Sequence, residues 1–185
     1  MSKKVLVLTS SGRRNSNSTA MARAFADAAV EAGHQVKTID LFGLSIDPCT
    51  GCGGCRTSGR LCVVDDDFAA LAQEVLDAQV VVFAAPVYWY TFPAKAKLAI
   101  DKFVSFLWGG AAIQGRESAL LACATEDDAD YVFAGIVTAF ECTVAHLGWT
   151  SLGVVLQPGV PEPGDITRTD ALARCAELAR SIESA

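Results

Sequence analysis

Apolar and polar positions change period repeatedly along the chain, and each change predicts an element. Val5, Leu6, Val7 and Leu8 form a short apolar run of the kind that builds a strand buried on both faces. After the polar stretch Thr9 to Asn17, apolar residues at Met21, Phe25 and Ala28 or Ala29 fall three or four apart, which predicts a helix capped near Ser18 and ended at Gly33. Val36 to Asp40 reads as a second strand, and Gly43 to Val64, rich in Gly and Cys and without either period, as a long loop. Asp65 to Asp67 place negative charge at the start of a helix with Leu71, Val75 and Leu76 on one face.

Val80 to Ala85 predicts a third strand stopped by Pro86, and Pro93 suits the first turn of a helix carrying Ile100, Phe103, Val104 and Leu107 up to Gly109 and Gly110. Ala119 to Ala124 is a fourth strand. One long helix then carries Val132, Ile136, Phe140, Val144 and Leu147 to Gly148, and Leu152 to Leu156 is a fifth strand followed by a turn from Pro158 to Gly164. Leu172, Cys175, Leu178 and Ile182 mark a last helix, with Thr167 and Asp170 spaced as a capping box. Five buried strands alternating with five helices specify an α/β domain: a parallel sheet with helices on both faces, joined by right-handed crossovers. In such sheets ligands bind beyond the carboxyl ends of the strands where strand order reverses, so the loops after strands one, three and four carry the chemistry.

Composition narrows the picture. A length of 185 residues fits one domain, residues 1–185, and 51% apolar against 19% charged residues excludes a disordered chain. A net charge of -6, with Lys and Arg scattered, offers no field for nucleic acid. The longest apolar stretch, Val80 to Ala94, is interrupted by Pro86 and Pro93 and is too short for a membrane span. No export signal is recognisable, so a cytoplasmic location is expected, and there the seven cysteines stay reduced or bind metal.

The loop from Thr9 to Thr19 is dense in hydroxyls, amides and small residues and feeds into a helix N-terminus, the makings of an anion site. For any one of these residues, simple capping is the more economical reading; eleven in a row exceed what a cap needs. The loop has neither the glycine-lysine pattern of a nucleoside triphosphate cradle nor the three-glycine pattern of a dinucleotide site. No Cys has an Arg six positions on, as a phosphatase on this architecture needs, and no acidic residues follow the first strand as in a receiver domain. After strand three, Tyr88 and Trp89 are placed to line a flat ring, whereas Tyr90 and Phe92 read better as packing residues.

The hydroxyl-rich loop, the Pro86-Val87-Tyr88-Trp89 segment, the stretch Leu98 to Lys102 and the cysteine loop ending in Val63-Val64-Asp65-Asp66 together make a sequence that resembles the NADPH-dependent FMN reductase family of flavodoxin-like proteins, over nearly the whole chain. The resemblance implies a flavodoxin-like five-stranded sheet in which Ser11, Arg13, Ser16, Asn17 and Ser18 hold the FMN phosphate. It further implies that Pro86, Val87, Tyr88 and Trp89 border the isoalloxazine and that Thr125, with Glu126 a weaker addition, lies near the ring. Gly12 stands where relatives often have Pro, and Ser16 where they often have Gly. The resemblance also implies that NAD(P)H reduces the flavin, that a small-molecule or protein acceptor takes the electrons, and that a second subunit completes the site of a homodimer. The chemistry belongs to the cofactor, and no catalytic side chain is assigned.

Cys49, Cys52 and Cys55 have two successive two-residue spacings, and Cys62 follows. A [4Fe-4S] cluster needs four thiolates, and intervening glycines let a tight loop wrap it, whereas zinc sites more often pair two distant knuckles. The motif resembles that of the iron-sulfur flavoproteins, a branch of the same family; free thiols and zinc stay open as alternatives. Cys123, Cys142 and Cys175 read as packing residues on buried faces, and His34 and His146 as isolated. Three functional classes follow: an FMN-dependent NAD(P)H oxidoreductase, an electron carrier reduced by a partner protein, and a redox or metal sensor reading through the cysteine loop.

Overall fold

The structure, a computed structural model, describes residues 2–183. In chain order the elements are β1 (Lys4–Thr9), α1 (Asn17–Glu31), β2 (Gln35–Asp40), α2 (Gly54–Thr57), α3 (Phe68–Asp77), β3 (Val80–Pro86), α4 (Ala94–Lys102), α5 (Val104–Trp108), β4 (Glu117–Cys123), α6 (Ala129–Val132), α7 (Ala134–His146), β5 (Thr150–Gln157) and α8 (Ala171–Arg180). Short 3₁₀ turns lie at Leu41–Gly43 and Asp165–Arg168. All five strands are parallel in the order β2-β1-β3-β4-β5, so the direction of winding reverses between β1 and β3. This is the flavodoxin-like α/β fold.

Alternation along each central strand divides the core in two. Leu6, Leu8, Val81, Phe83 and Leu120 face a cluster built with Phe68, Phe103, Phe106, Ile136 and Phe140, whereas Val5, Val7, Val80, Val82 and Leu121 face Met21, Phe25, Cys175 and Ala179 of α1 and α8. The first cluster is aromatic at its centre: the Phe83 ring lies 5.8 Å from Phe92, 6.4 Å from Phe103 and 6.2 Å from Phe140. Such offset and edge contacts favour one arrangement of the rings over others.

Several sequence expectations need correction. The two outer strands are not buried on both faces: β2 and β5 are edges, and apart from the buried Val155 their residues are part-buried or exposed. A register shift between Ser118 and Ala119 passes over Leu152 of β5, with Gly153 at φ 128° absorbing the irregularity. The helix expected from Pro93 to Gly109 breaks at Phe103, whose ring turns inward against Phe68, Phe106 and Trp149. The helix expected to carry Val132 to Leu147 likewise breaks at Phe133, which is buried.

Thr167 does not cap α8. It sits in the preceding 3₁₀ turn with its hydroxyl on the Gly164 carbonyl, and Thr169 Oγ1 accepts from the Ala171 N–H instead. Cys142 is exposed on α7, not buried, whereas Cys123 and Cys175 are buried. The long cysteine loop contains one short helix, α2, started by Gly53 at φ 71°.

Candidate functional site: a cleft at the sheet tip and a thiol-lined pocket beside it

The segment after β1 becomes an anion-binding shape through its own hydrogen bonds. Asn15 takes a left-handed conformation (φ 52°), which Asn tolerates, and turns the chain into α1. Ser16 is the N-cap: its Oγ accepts from the Thr19 N–H at 3.2 Å and meets Thr19 Oγ1 at 2.7 Å. The N–H groups of Asn17 and Ser18 therefore have no intrahelical acceptor and lie at the positive end of a helix of 15 residues.

The Asn17 side chain is fully occupied. Its Nδ2 donates to the carbonyls of Val160 (3.0 Å) and Glu162 (2.9 Å), and its Oδ1 accepts from the N–H groups of Gly164 (2.9 Å) and Ile166 (3.3 Å). Two donors and two lone pairs are all that this amide has. Asn17 thus fastens the turn after β5 to the start of α1, and only its main-chain N–H is left to face a ligand. Arg13 reaches the same turn, its guanidinium donating to the Pro161 carbonyl at 2.9 Å.

These groups open onto a cleft at the carboxyl ends of β1, β3 and β4. Ser11, Arg13, Ser16, Asn17, Ser18, Pro86, Val87, Tyr88 and Thr125 all line it, so the structure brings together nine of the ten residues expected at an FMN site. Trp89 does not line it. That side chain is 91% exposed and belongs to an adjoining cleft with Val87, Tyr88, Tyr90, Thr125, Glu126 and Val132. Phe92 is buried, as a packing residue should be.

Sequence reasoning missed Cys123, Ala124, Val160 and Pro163 as cleft walls. The topology holds a signal for the last two: the turn from Pro158 to Gly164 leaves β5 at the same sheet edge, beside β4. No Asp or Glu lines the cleft, and its single full charge is the Arg13 guanidinium. Burial pushes the Cys123 thiol up to about 12, with Ser18 and Arg13 pulling it back only in part. Cys123 therefore stays neutral and adds no negative charge. A phosphate with an attached flat ring fits this donor set, and a cation does not.

Tyr88 and Thr91 exchange both main-chain hydrogen bonds, at 3.1 and 3.2 Å, around a two-residue turn. The central residues, Trp89 (φ 48°) and Tyr90 (φ 66°), are left-handed, a geometry usually supplied by Asn and Gly. For two aromatic residues this costs about 1–2 kcal/mol each. The turn is braced from behind by α7, where a Cβ at Gly135 would stand 2.2 Å from the Tyr90 carbonyl oxygen. Tyr90 also packs edge-on against Tyr131 at 5.0 Å. Near the first loop, Gly12 lets the Phe42 ring lie where a Cβ would come within 2.5 Å of it, so a side chain there would displace that ring.

Cys49, Cys52, Cys55 and Cys62 line a second pocket, together with Gly51, Gly53, Val63, Val64, Lys102, Val104, Ser105 and Trp108. Gly51 and Gly53 are left-handed at φ 67° and 71°, which turns the chain tightly between thiols. The loop is pinned to α5 by Arg56, whose guanidinium carbon lies 3.5 Å from the centre of the Trp108 ring, and is packed on itself by Val63 against Gly54. The Cys52 thiol is lowered from the ordinary thiol range, first by the Gly54 N–H and then by Thr50.

Behind the pocket, Lys102 (side chain 1% exposed) is paired with Asp66 (5%). Burial pushes the Asp66 carboxyl up. The Lys102 ammonium and the N–H groups of Asp47 and Phe68 outweigh it and hold the carboxyl below the usual range. Among the described residues no three His, Cys, Asp or Glu converge closely enough to grip one ion. A cubane spreads its thiolates over separate irons, so it needs thiols that ring a pocket rather than share a point. Four thiols, glycine turns, an apolar wall and a neighbouring ammonium suit that group.

A doubly wound parallel sheet with an acid-free cleft at its switch point defines a nucleotide-binding flavodoxin-like protein. The sequence profile of the NADPH-dependent FMN reductase family matches residues 3–131, and the chain belongs to that family. It is 29% identical over 118 residues to an iron-sulfur flavoprotein of Methanosarcina thermophila, a match covering 64% of this chain and 61% of that one. The chain thus spans about three-fifths of that relative's length. Among solved structures it is similar to an NAD(P)H:quinone oxidoreductase from Methanothermobacter marburgensis (TM-score 0.77, 22% identity, 100% of this chain and 99% of that one). It is also similar to an azoreductase from Bacillus anthracis str. Sterne (TM-score 0.74, 19% identity, 98% and 100%). At these identities the structural likenesses speak for the fold.

Proposed function

We propose that this chain is an FMN-dependent NAD(P)H oxidoreductase that delivers electrons to a small acceptor such as a quinone, a flavin or an iron centre, with a [4Fe-4S] cluster in its cysteine loop. The observation that carries the reading is the cleft at the start of α1, walled by hydroxyls, main-chain N–H groups and one guanidinium and by no carboxylate. When bound, FMN supplies hydride acceptance and onward electron transfer, and a cluster supplies one-electron relay.

The remaining work is done by side chains and main chain. Ser11, Ser16 and Ser18, with the N–H groups of Asn17 and Ser18, hold the phosphate at the helix end, and Arg13 neutralises it. Asn17 acts from behind by fixing the turn after β5 as a wall. Pro86, Val87, Tyr88 and Thr125 would border the ring, and Trp89, held outward by the strained turn, would stand at the adjoining cleft through which nicotinamide and acceptor could approach. Cys49, Cys52, Cys55 and Cys62 are the cluster ligands.

A homodimer suits the exposed aromatic group Tyr88, Trp89, Tyr90 and Tyr131 at the mouth of this cleft, which a second subunit would cover. None of the seven cysteines is in a disulfide, in keeping with a reducing cytoplasm. Among the described residues no helix is long and apolar enough to cross a membrane. Mixing anaerobic FMN-loaded protein with NADPH or NADH in a stopped-flow instrument tests the reading. Bleaching of the flavin band within seconds is expected. Bleaching that takes minutes, yet turns fast when a separate reductase is added, contradicts it and leaves a carrier.

A further inference from the structure

Ser105 stands apart from every other buried polar side chain. Its residue is 2% exposed, and its Oγ is the one buried side-chain nitrogen or oxygen among the described residues that has no hydrogen-bond partner. A buried hydroxyl without a partner is costly, and a serine in a helix ordinarily relieves the cost by bonding to the carbonyl four residues earlier. Here the chain breaks at Phe103, Ser105 is the second residue of α5, and no such bond forms.

Ser105 is one of the residues lining the pocket ringed by Cys49, Cys52, Cys55 and Cys62. Its neighbours on that wall, Val104 and Trp108, offer no acceptor, and Lys102 is already paired with Asp66. α5 is held against the cysteine loop at its C-terminal end. Arg56 lies on Trp108, and a Cβ at Gly109 would come within 3.6 Å of the carbonyl oxygens of Arg60 and Cys55. Ser105 is therefore carried on a helix that is held against the pocket.

We infer that Ser105 is a hydrogen-bond donor to the sulfur atoms of the group held by the cysteine loop, and that it sets that group's reduction potential. The inference rests on the proposal that the loop carries an iron-sulfur cluster. An O–H aimed at cluster sulfur stabilises the more negative, reduced form more than the oxidised one, so it raises the potential. The same hydroxyl is a burden when the pocket holds no group, because nothing then satisfies it.

Two opposite signs follow for Ser105→Ala. In protein stripped of iron the variant is as stable as the parent or more so, since the orphaned hydroxyl is gone. In cluster-loaded protein it makes the cluster harder to reduce. At a fixed potential the ratio of reduced to oxidised cluster falls roughly tenfold, about 59 mV for one electron. Ser105→Thr keeps the hydroxyl and keeps the potential near that of the parent.

The experiment is anaerobic purification of the parent and both variants, iron and acid-labile sulfide assays, an EPR-monitored redox titration, and thermal melts with and without iron. A lower potential in Ser105→Ala restored by Ser105→Thr supports the inference, as does cluster assembly in Ser105→Thr alone. An unchanged potential in fully loaded Ser105→Ala overturns it, and so does loss of the cluster in both variants, which would mark a packing role. Absence of iron and sulfide from the parent itself overturns the cluster proposal, and this inference with it.

Discussion

The cleft at the sheet tip and the thiol pocket lie on neighbouring loops of the same sheet, yet they are built on opposite terms. The cleft is finished by protein alone: Ser16 caps α1, Asn17 uses all four of its hydrogen-bonding valences, and Arg13 is tied to Pro161. The pocket has its thiols, two left-handed glycines and an unpartnered Ser105 hydroxyl. A preorganised site spends little on ordering when its ligand arrives, whereas a site whose polar groups wait for the ligand is completed by it. The cleft is therefore expected to keep its shape when empty, and the pocket to gain its order on loading.

The largest break in that contrast comes from Lys102→Met. It leaves the Asp66 carboxylate buried beside the thiol pocket with no counter-ion, and a loss of about 3–5 kcal/mol in urea unfolding is expected. Acid should shrink this difference. Because the Asp66 carboxyl is held below its ordinary value of about 3.9, the stabilisation is complete above that value and disappears as the pH falls through the lower, folded-state value. Parent and variant stabilities therefore converge at the acid end, and a constant gap across the titration would contradict the assignment.

Asn17→Ala comes next. It strands two carbonyls and two N–H groups of the turn between Val160 and Ile166, for a loss of about 3 kcal/mol and roughly tenfold weaker FMN binding, with cluster content untouched. Gly135→Ala is the smallest. Its new methyl meets the Tyr90 carbonyl and pushes the strained aromatic turn outward, at about 1–3 kcal/mol. Altered Trp89 emission with little change in FMN affinity is the expected signature.

The same contrast explains what the sequence disclosed. The apolar runs Val5 to Leu8, Val80 to Ala85 and Ala119 to Ala124 become the three central strands because central parallel strands must be apolar on both faces, so no other pattern serves. The density of hydroxyls and amides after β1 was legible too, and the structure gathers Ser11, Ser16, Asn17 and Ser18 at one cleft. What stayed hidden depends on tertiary geometry. The breaks at Phe103 and Phe133 follow from ring packing that periodicity does not encode, and nothing local shows that Cys142 faces outward on α7 while Cys175 faces inward on α8. The part of Asn17 as a clamp became visible only once the turn after β5 was seen beside α1. The isolation of Ser105 likewise depends on where α5 begins.

The central claim is that main-chain N–H groups, serine hydroxyls and Arg13 at the start of α1 recognise the phosphate of FMN. Parallel fluorescence titrations of flavin-free protein with FMN and with riboflavin, which lacks the phosphate, test it most directly. FMN should bind one per chain and roughly a hundredfold more tightly than riboflavin, the difference that two charge-assisted hydrogen bonds provide. Equal affinity for the two flavins, or no association with either, would contradict it.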